Sequence, residues 1–347
     1  MKVELISIGD ELLSGFIVNR NAAYIGKILD EVNLTVDYMT TVGDEVASIA
    51  ASLKAAGERA SFIICTGGLG PTSDDVTMQG AARYFNRKLV FQKEILESIK
   101  EKFRKRGRVM APENRKQAEL PEGAEVIENR IGSAPGVRIK HEESVYYFLP
   151  GVPIEMQNMM QQHVLPFLKR HYPPGGIKQK IIRTTGIFES DIASRIDHLR
   201  SQFPQLRIAY LPQISGVQIK LKVVETKAEK AQQILEQAEH RLREQLDRYI
   251  YGTGDDSLEE IVAQLLFQQK LTVAVAESCT GGLISHTLTN IPGSSEYFKR
   301  GFITYTNDSK IELLGVSEKT IQEYGAVSEQ TAAEMAEGVR RTSTASP

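Results

Sequence analysis

The stretch Cys65–Asp75, CTGGLGPTSDD, decides how the chain folds: a glycine-rich turn runs straight into two adjacent carboxylates. Before it, Ser61–Cys65 (SFIIC) is apolar and partly β-branched, the composition of a buried parallel strand. After it, Val76–Phe85 has helical composition and spacing, which sets Asp74 and Asp75 near that helix's N-terminus. Gly67, Gly68 and Gly70 permit backbone torsions and a close ligand approach that a Cβ would obstruct. Main-chain N–H groups then face outward beside the positive end of a helix, a place for phosphate. An aspartate at a helix start is also an ordinary cap. Two carboxylates beside bound phosphate would repel it unless a divalent cation sat between them, and Mg²⁺ suits such oxygen ligands. The pattern points to phosphoanhydride chemistry.

The segments around this turn alternate strand and helix. Lys2–Ile8 (KVELISI) and Leu34–Thr41 (LTVDYMTT) read as strands, with helices expected at Asn21–Val32 and Ile49–Arg59. This order predicts an α/β fold with a doubly wound, mainly parallel sheet. Ligands in such sheets sit beyond the carboxyl ends of the strands, where Gly9, Asp10, Glu11, Asp44 and the glycine turn would converge. Any one of these acids alone reads as an ordinary loop residue. The basic run Lys100–Lys116 reads as a solvated helix end, with a phosphate-facing role open to Asn114 and Lys116. The turns IGSAPGV at Ile131–Val137 and LPGVP at Leu149–Pro153 are expected on the same rim.

A chain of 347 residues exceeds one ordinary core, so two or three domains are expected. Its formal net charge of -2 gives no global attraction to nucleic acid or anionic lipid. The N-terminus lacks a signal-peptide layout and no apolar run is long enough to span a bilayer, so a cytoplasmic location without membrane partners is expected. Cys65 and Cys279 are far apart and form neither a metal knuckle nor a disulfide framework.

Together, GDELLSGFIVNRN at Gly9–Asn21, TVGD at Thr41–Asp44, TGGLGPTSDD at Thr66–Asp75, the Asn114–Gln117 segment, GSAPG at Gly132–Gly136 and PGVP at Pro150–Pro153 resemble the competence/damage-inducible CinA family. The resemblance implies a first domain at 1–170 of the molybdopterin-binding type, acting as a metal-dependent ADP-ribose pyrophosphatase that yields AMP and ribose 5-phosphate. Gly67, Gly68, Gly70 and Thr72 would hold phosphate. Asp74 or Asp75 would bind the metal, Mg²⁺ by choice, or orient water, and the two roles are not divided between them. Glu11 is a candidate base.

The break after this domain is expected at His171–Gly176 (HYPPGG). A compact α+β module follows at 177–252, and the resemblance implies a KH-like middle domain. Its turn Pro212–Gly216 (PQISG) lacks the GXXG loop that clamps nucleotides, so direct nucleic-acid binding is not expected and a spacer or homodimer role is. In the third region, 257–347, the strand Leu271–Ala276 leads into ESCTGG at Glu277–Gly282, where Ser278 stands either as a helix cap or as a nucleophile beside helix N–H groups. RGFITYTNDSK at Arg300–Lys310 could bring Tyr305 and Lys310 near it. The resemblance implies a nicotinamide mononucleotide amidohydrolase, with Ser278 as nucleophile and Tyr305 and Lys310 activating it. A later glycine segment and substrate-binding arginine of that family are missing before Pro347, so an incomplete α/β C-terminal domain with weak or absent activity is expected. A non-catalytic pterin- or nucleotide-binding protein, or a regulator linked to competence or DNA damage, is the alternative.

Overall fold

The computed structural model describes residues 1–172, 176–225, 227–343 and 345. The chain divides into two compact units, Met1–Gly175 and Gly176–Pro347. Half of the expected linker at His171–Gly176, residues 173–175, lies outside the described residues, as does Pro347.

In the first unit, strand β1 (Val3–Ile8) leads through the short helix α1 (Asp10–Leu13) to α2 (Arg20–Glu31) and β2 (Tyr38–Val42). Then come α3 (Val46–Arg59), β3 (Phe62–Thr66) and α4 (Thr77–Phe85). A small antiparallel pair follows, β4 (Leu89–Phe91) with β5 (Glu119–Pro121), flanking helix α5 (Lys93–Lys105). The unit closes with β6 (Glu125–Ile127), β7 (Gly136–His141), β8 (Ser144–Leu149) and α6 (Pro153–Met159). The main sheet has the order β2-β1-β3-β8-β7-β6, with β2, β1, β3 and β8 mutually parallel and the last two antiparallel. It is the parallel-rich α/β sheet that the alternating elements predict.

Strand alternation divides the core between the two faces of this sheet. Ile63 and Cys65 of β3 pack with Ile49 and Leu53 of α3 and with Ala81 and Phe85 of α4. Phe62 and Ile64, one residue out of step, pack with Ile25 and Leu29 of α2 and Met156 and Met159 of α6. Every residue of β3 is therefore buried, which is why it reads as an unbroken apolar run. The second strand starts later than its apolar character suggests, at Tyr38. Asn33 turns the chain with a left-handed φ of 64, and Asp37 Oδ2 accepts from the Val3 amide to bring the strand into register.

The second unit begins with β9 (Gly176–Thr184), β10 (Leu206–Gln213), β11 (Gly216–Glu225) and β12 (Ile250–Thr253), an antiparallel sheet of order β10-β11-β9-β12. The helix Ala228–Leu246 lays Leu235, Ala238 and Leu242 on it. PQISG is the tip of the β10–β11 hairpin, where Gln213 pairs with Gly216. Further along, β13 (Val273–Glu277) and β14 (Phe298–Ile303) form a parallel pair. Ser257 caps the helix Leu258–Gln269 before it in a capping box with Glu260. Among the described residues no helix is long and apolar enough to cross a membrane.

Candidate functional site

The carboxyl ends of β1, β2, β3 and β8 open on a cleft of about 610 Å³. Strand order fixes what stands where along it: Asp44 after β2, Gly9 and Glu11 after β1, Gly67–Gly70 after β3, and Gly151–Pro153 after β8. The glycine turn is held from below. The Gly67 amide donates to the Leu149 carbonyl at 3.1 Å, and the Thr77 hydroxyl donates to the Gly67 carbonyl at 2.9 Å. Gly67 has φ 106, and a Cβ there would lie 2.1 Å from the Ile8 carbonyl oxygen, so no other residue fits between β1 and β3 at this point.

The two aspartates after the turn separate in role. Asp75 folds back on the loop, accepting from the Gly70 amide and the Thr72 amide at 2.8 Å each and from the Thr72 hydroxyl. Its oxygens shape the turn, and the residue also lines the cleft. Thr72 is likewise bound to Asp75 and is not among the residues lining the cleft. Asp74 is exposed on the cleft wall. The neighbouring Thr72 hydroxyl, its own amide and the charge of Lys116 hold its carboxyl below the ordinary range.

Asp44 is half-buried, and burial pushes its carboxyl up, the Asp10 amide opposing and the charges of Asp10, Glu11 and Asp74 adding. Asp10 itself is turned to the loop: its Oδ1 accepts from the Asp44 amide at 3.3 Å while its amide donates to Asp44 Oδ2 at 3.0 Å. Asn114 and Lys116 are not presented to the cleft as expected. Asn114 is buried and donates to Gln117, and Lys116 Nζ donates to the Thr72 and Ser73 carbonyls, bracing the aspartate loop. Reasoning from sequence misses Arg20, Gln117 and Glu155, all on the cleft wall. Arg20 lies inside the GDELLSGFIVNRN stretch and is the one cation among the described lining residues. Its neighbour Asn21 ties α2 to the β8 exit by donating to the Gly151 carbonyl at 2.7 Å.

Among the described residues no three His, Cys, Asp or Glu side chains are arranged to hold a metal by themselves. The repulsion that Glu11 and Asp74 exert on Asp44 nonetheless fits a cation whose shell is completed by phosphate oxygens, the usual way Mg²⁺ is bound.

A second constellation lies at the end of β13. Lys310, 1% exposed, donates from Nζ to Ser278 Oγ at 3.1 Å and to the carbonyls of Thr304 and Tyr305 at 2.8 and 3.2 Å. Tyr305 contributes that carbonyl through its main chain, and the residue itself is 73% exposed. Sequence reasoning also misses Glu277. Its carboxylate accepts from the amides of Gly282, Ile284 and Ser285 and from the Ser285 hydroxyl, sealing the start of the helix Leu283–Thr289. Burial works against its charge, but these hydrogen bonds bring its carboxyl down to about 2. An acid closing a strand before Gly-Gly and a helix is the signal that could have found it.

The first unit is thus a parallel-rich α/β domain of the molybdopterin-binding type: the model of the probable molybdopterin binding domain matches residues 4–170. The damage-inducible protein CinA KH domain matches 179–252, and the CinA C-terminal domain matches 255–346. A putative competence-damage inducible protein of Caldicellulosiruptor saccharolyticus is 41% identical over 99% of this chain and 84% of its own length. A CinA-like protein of Desulforapulum autotrophicum is 39% identical over 98% of this chain and 82% of its own. The crystal structure of the protein CinA with unknown function from Thermoplasma acidophilum is 32% identical, with TM-score 0.45 over 48% of this chain and 96% of that one. The chain belongs to the CinA family of competence/damage-inducible proteins.

Proposed function

We propose that the first unit hydrolyses the pyrophosphate bond of ADP-ribose with a divalent cation, Mg²⁺ being the natural choice. The observation that carries this reading is the Gly67–Gly70 turn opening into a cleft whose wall holds Glu11, Asp44 and Asp74. Main-chain amides of the turn would hold the phosphates, with Arg20 on the same wall. Asp44 and Asp74 would hold the cation, whose chemistry there would be to offset negative charge on the departing phosphate. Asp44 Oδ1 lies 3.5 Å from where a Cβ on Gly68 would stand, beside the glycine turn. Glu11, on the same wall, would take a proton from the attacking water. The water oxygen bonds to phosphorus, the bridging P–O bond breaks, and AMP and ribose 5-phosphate leave. Incubation with ADP-ribose and a divalent metal, followed by product chromatography, tests this. Asp44→Asn and Asp74→Asn should each abolish AMP release.

A specific contact supports a second activity, deamidation of nicotinamide mononucleotide in the second unit: the Lys310 Nζ to Ser278 Oγ hydrogen bond of 3.1 Å. Lys310 would take the Ser278 proton as Oγ attacks the amide carbon, ammonia leaves, and water then releases the acid. Leu283 and Ile303, 61% and 56% exposed beside this turn, leave the site open to water. Weak turnover is the proposal for it.

A further inference from the structure

The cleft holds a carboxylate that the proposed hydrolysis does not use. Glu155, in the first turn of α6, lines the cleft alongside Ser133, Ala134 and Val152. Asn129, 1% exposed, donates from Nδ2 to Glu155 Oε2 at 2.6 Å. The same side chain accepts from the Ile131 and Gly132 amides through Oδ1, so one buried amide fixes both the carboxylate and the loop beside it. A Cβ on Gly132 would come within 2.1 and 2.2 Å of the two carboxylate oxygens, so only glycine leaves room for them. Two cations of the basic run brace this loop through its carbonyls, Lys102 donating to Asn129 O and Arg106 to Ile131 O. Among the described residues nothing donates to Glu155 Oε1.

Position gives this carboxylate its meaning. It follows β8, on the far side of β3 from β1 and β2, whose ends carry Glu11 and Asp44. At the usual strand spacing that separation is about 10 to 14 Å. A fixed carboxylate at that distance repels phosphate and accepts from hydroxyls, as the acid that holds a ribose does in dinucleotide sites. We propose that Glu155 accepts hydrogen bonds from the vicinal hydroxyls of a ribosyl group, so that the cleft selects a ribose-bearing diphosphate over diphosphate alone. Glu155 is then a specificity-determining residue, and this assignment rests on the phosphate reading of the glycine turn.

The test compares two probes in the presence of Mg²⁺ by titration calorimetry: the methylene analogue of ADP-ribose, which resists hydrolysis, and methylenediphosphonate, which has the paired phosphoryl groups without sugar. Glu155→Gln keeps an acceptor for Asn129, and its melting curve reports whether the fold is intact. The expected result is a loss of about tenfold or more in affinity for the ADP-ribose analogue, the worth of a hydrogen bond to a charged group, with methylenediphosphonate binding unchanged. Equal losses for both probes, no loss for either, or no preference of the unaltered chain for the ribosylated probe would each overturn the assignment. If the unaltered chain prefers the ADP-ribose analogue through Glu155 but releases no AMP from ADP-ribose with any divalent metal, the hydrolase reading fails and the assignment stands.

Discussion

Asp44 sits where burial and three neighbouring acids make its negative charge unfavourable, and its only compensation among the described residues is the Asp10 amide. A carboxyl whose proton affinity is raised on folding makes the folded state less stable as pH climbs from the unfolded value, about 4, through the folded one. Asp44→Asn should therefore raise the thermal midpoint of the cation-free chain at neutral pH. Mg²⁺ should raise the midpoint of the unaltered chain and leave that of the variant where it is; an equal rise in both would remove Asp44 from the cation site. At the other constellation, Lys310→Met keeps the length and apolar stem of the side chain while removing the proton acceptor. Ammonia release from nicotinamide mononucleotide, measured by a coupled assay, should fall by about 100-fold or more. The adjacency of Asp74 and Asp75 in sequence says that carboxylates meet the turn, not which of them folds back. That choice depends on the hydrogen bond that the Gly70 amide donates to Asp75, a loop closure with no periodic signature.

Elements were easier to read than side-chain roles, because hydrophobic pattern is set by burial of whole faces. The unbroken apolar runs of β1 and β3 match strands buried on both sides, and helices alternate with them. Glu155 and Gln117 escaped notice because each arrives at the cleft from a distant segment and gains meaning only when the sheet edge gathers them. The junction of β3 with the glycine turn makes its own prediction. Gly67→Ala forces a side chain into a left-handed backbone and onto the Ile8 carbonyl, and should cost about 2 kcal/mol or more in denaturant unfolding. An unchanged midpoint would mean that the turn relaxes freely. In the second unit, Glu277 seals the start of the helix Leu283–Thr289. Its carboxyl, lowered to about 2, stabilises the fold above its unfolded value and loses that effect as pH falls from about 4.5 to 2. Glu277→Gln should flatten the acid limb of the stability curve, as followed by circular dichroism, while lowering stability at neutral pH.

At the scale of the whole molecule, each unit carries its own core and its own candidate chemistry. The first packs α2, α3, α4 and α6 on the two faces of one sheet, and the second builds separate clusters around the β9–β12 sheet and beside the β13–β14 pair. Substitutions at Asp44 or Asp74 should therefore leave deamidation untouched, and Ser278→Ala should leave ADP-ribose turnover untouched. The family was legible in the order of short motifs along the first unit, whereas the assembly of Ser278 with Lys310 needed the fold of the chain between them. The most direct test of the central claim is chromatographic product analysis of the purified chain with ADP-ribose and Mg²⁺, alongside Asp44→Asn. AMP and ribose 5-phosphate in equal amounts from the unaltered chain, and neither from the variant, is the predicted result; AMP release that persists undiminished in the variant would contradict it.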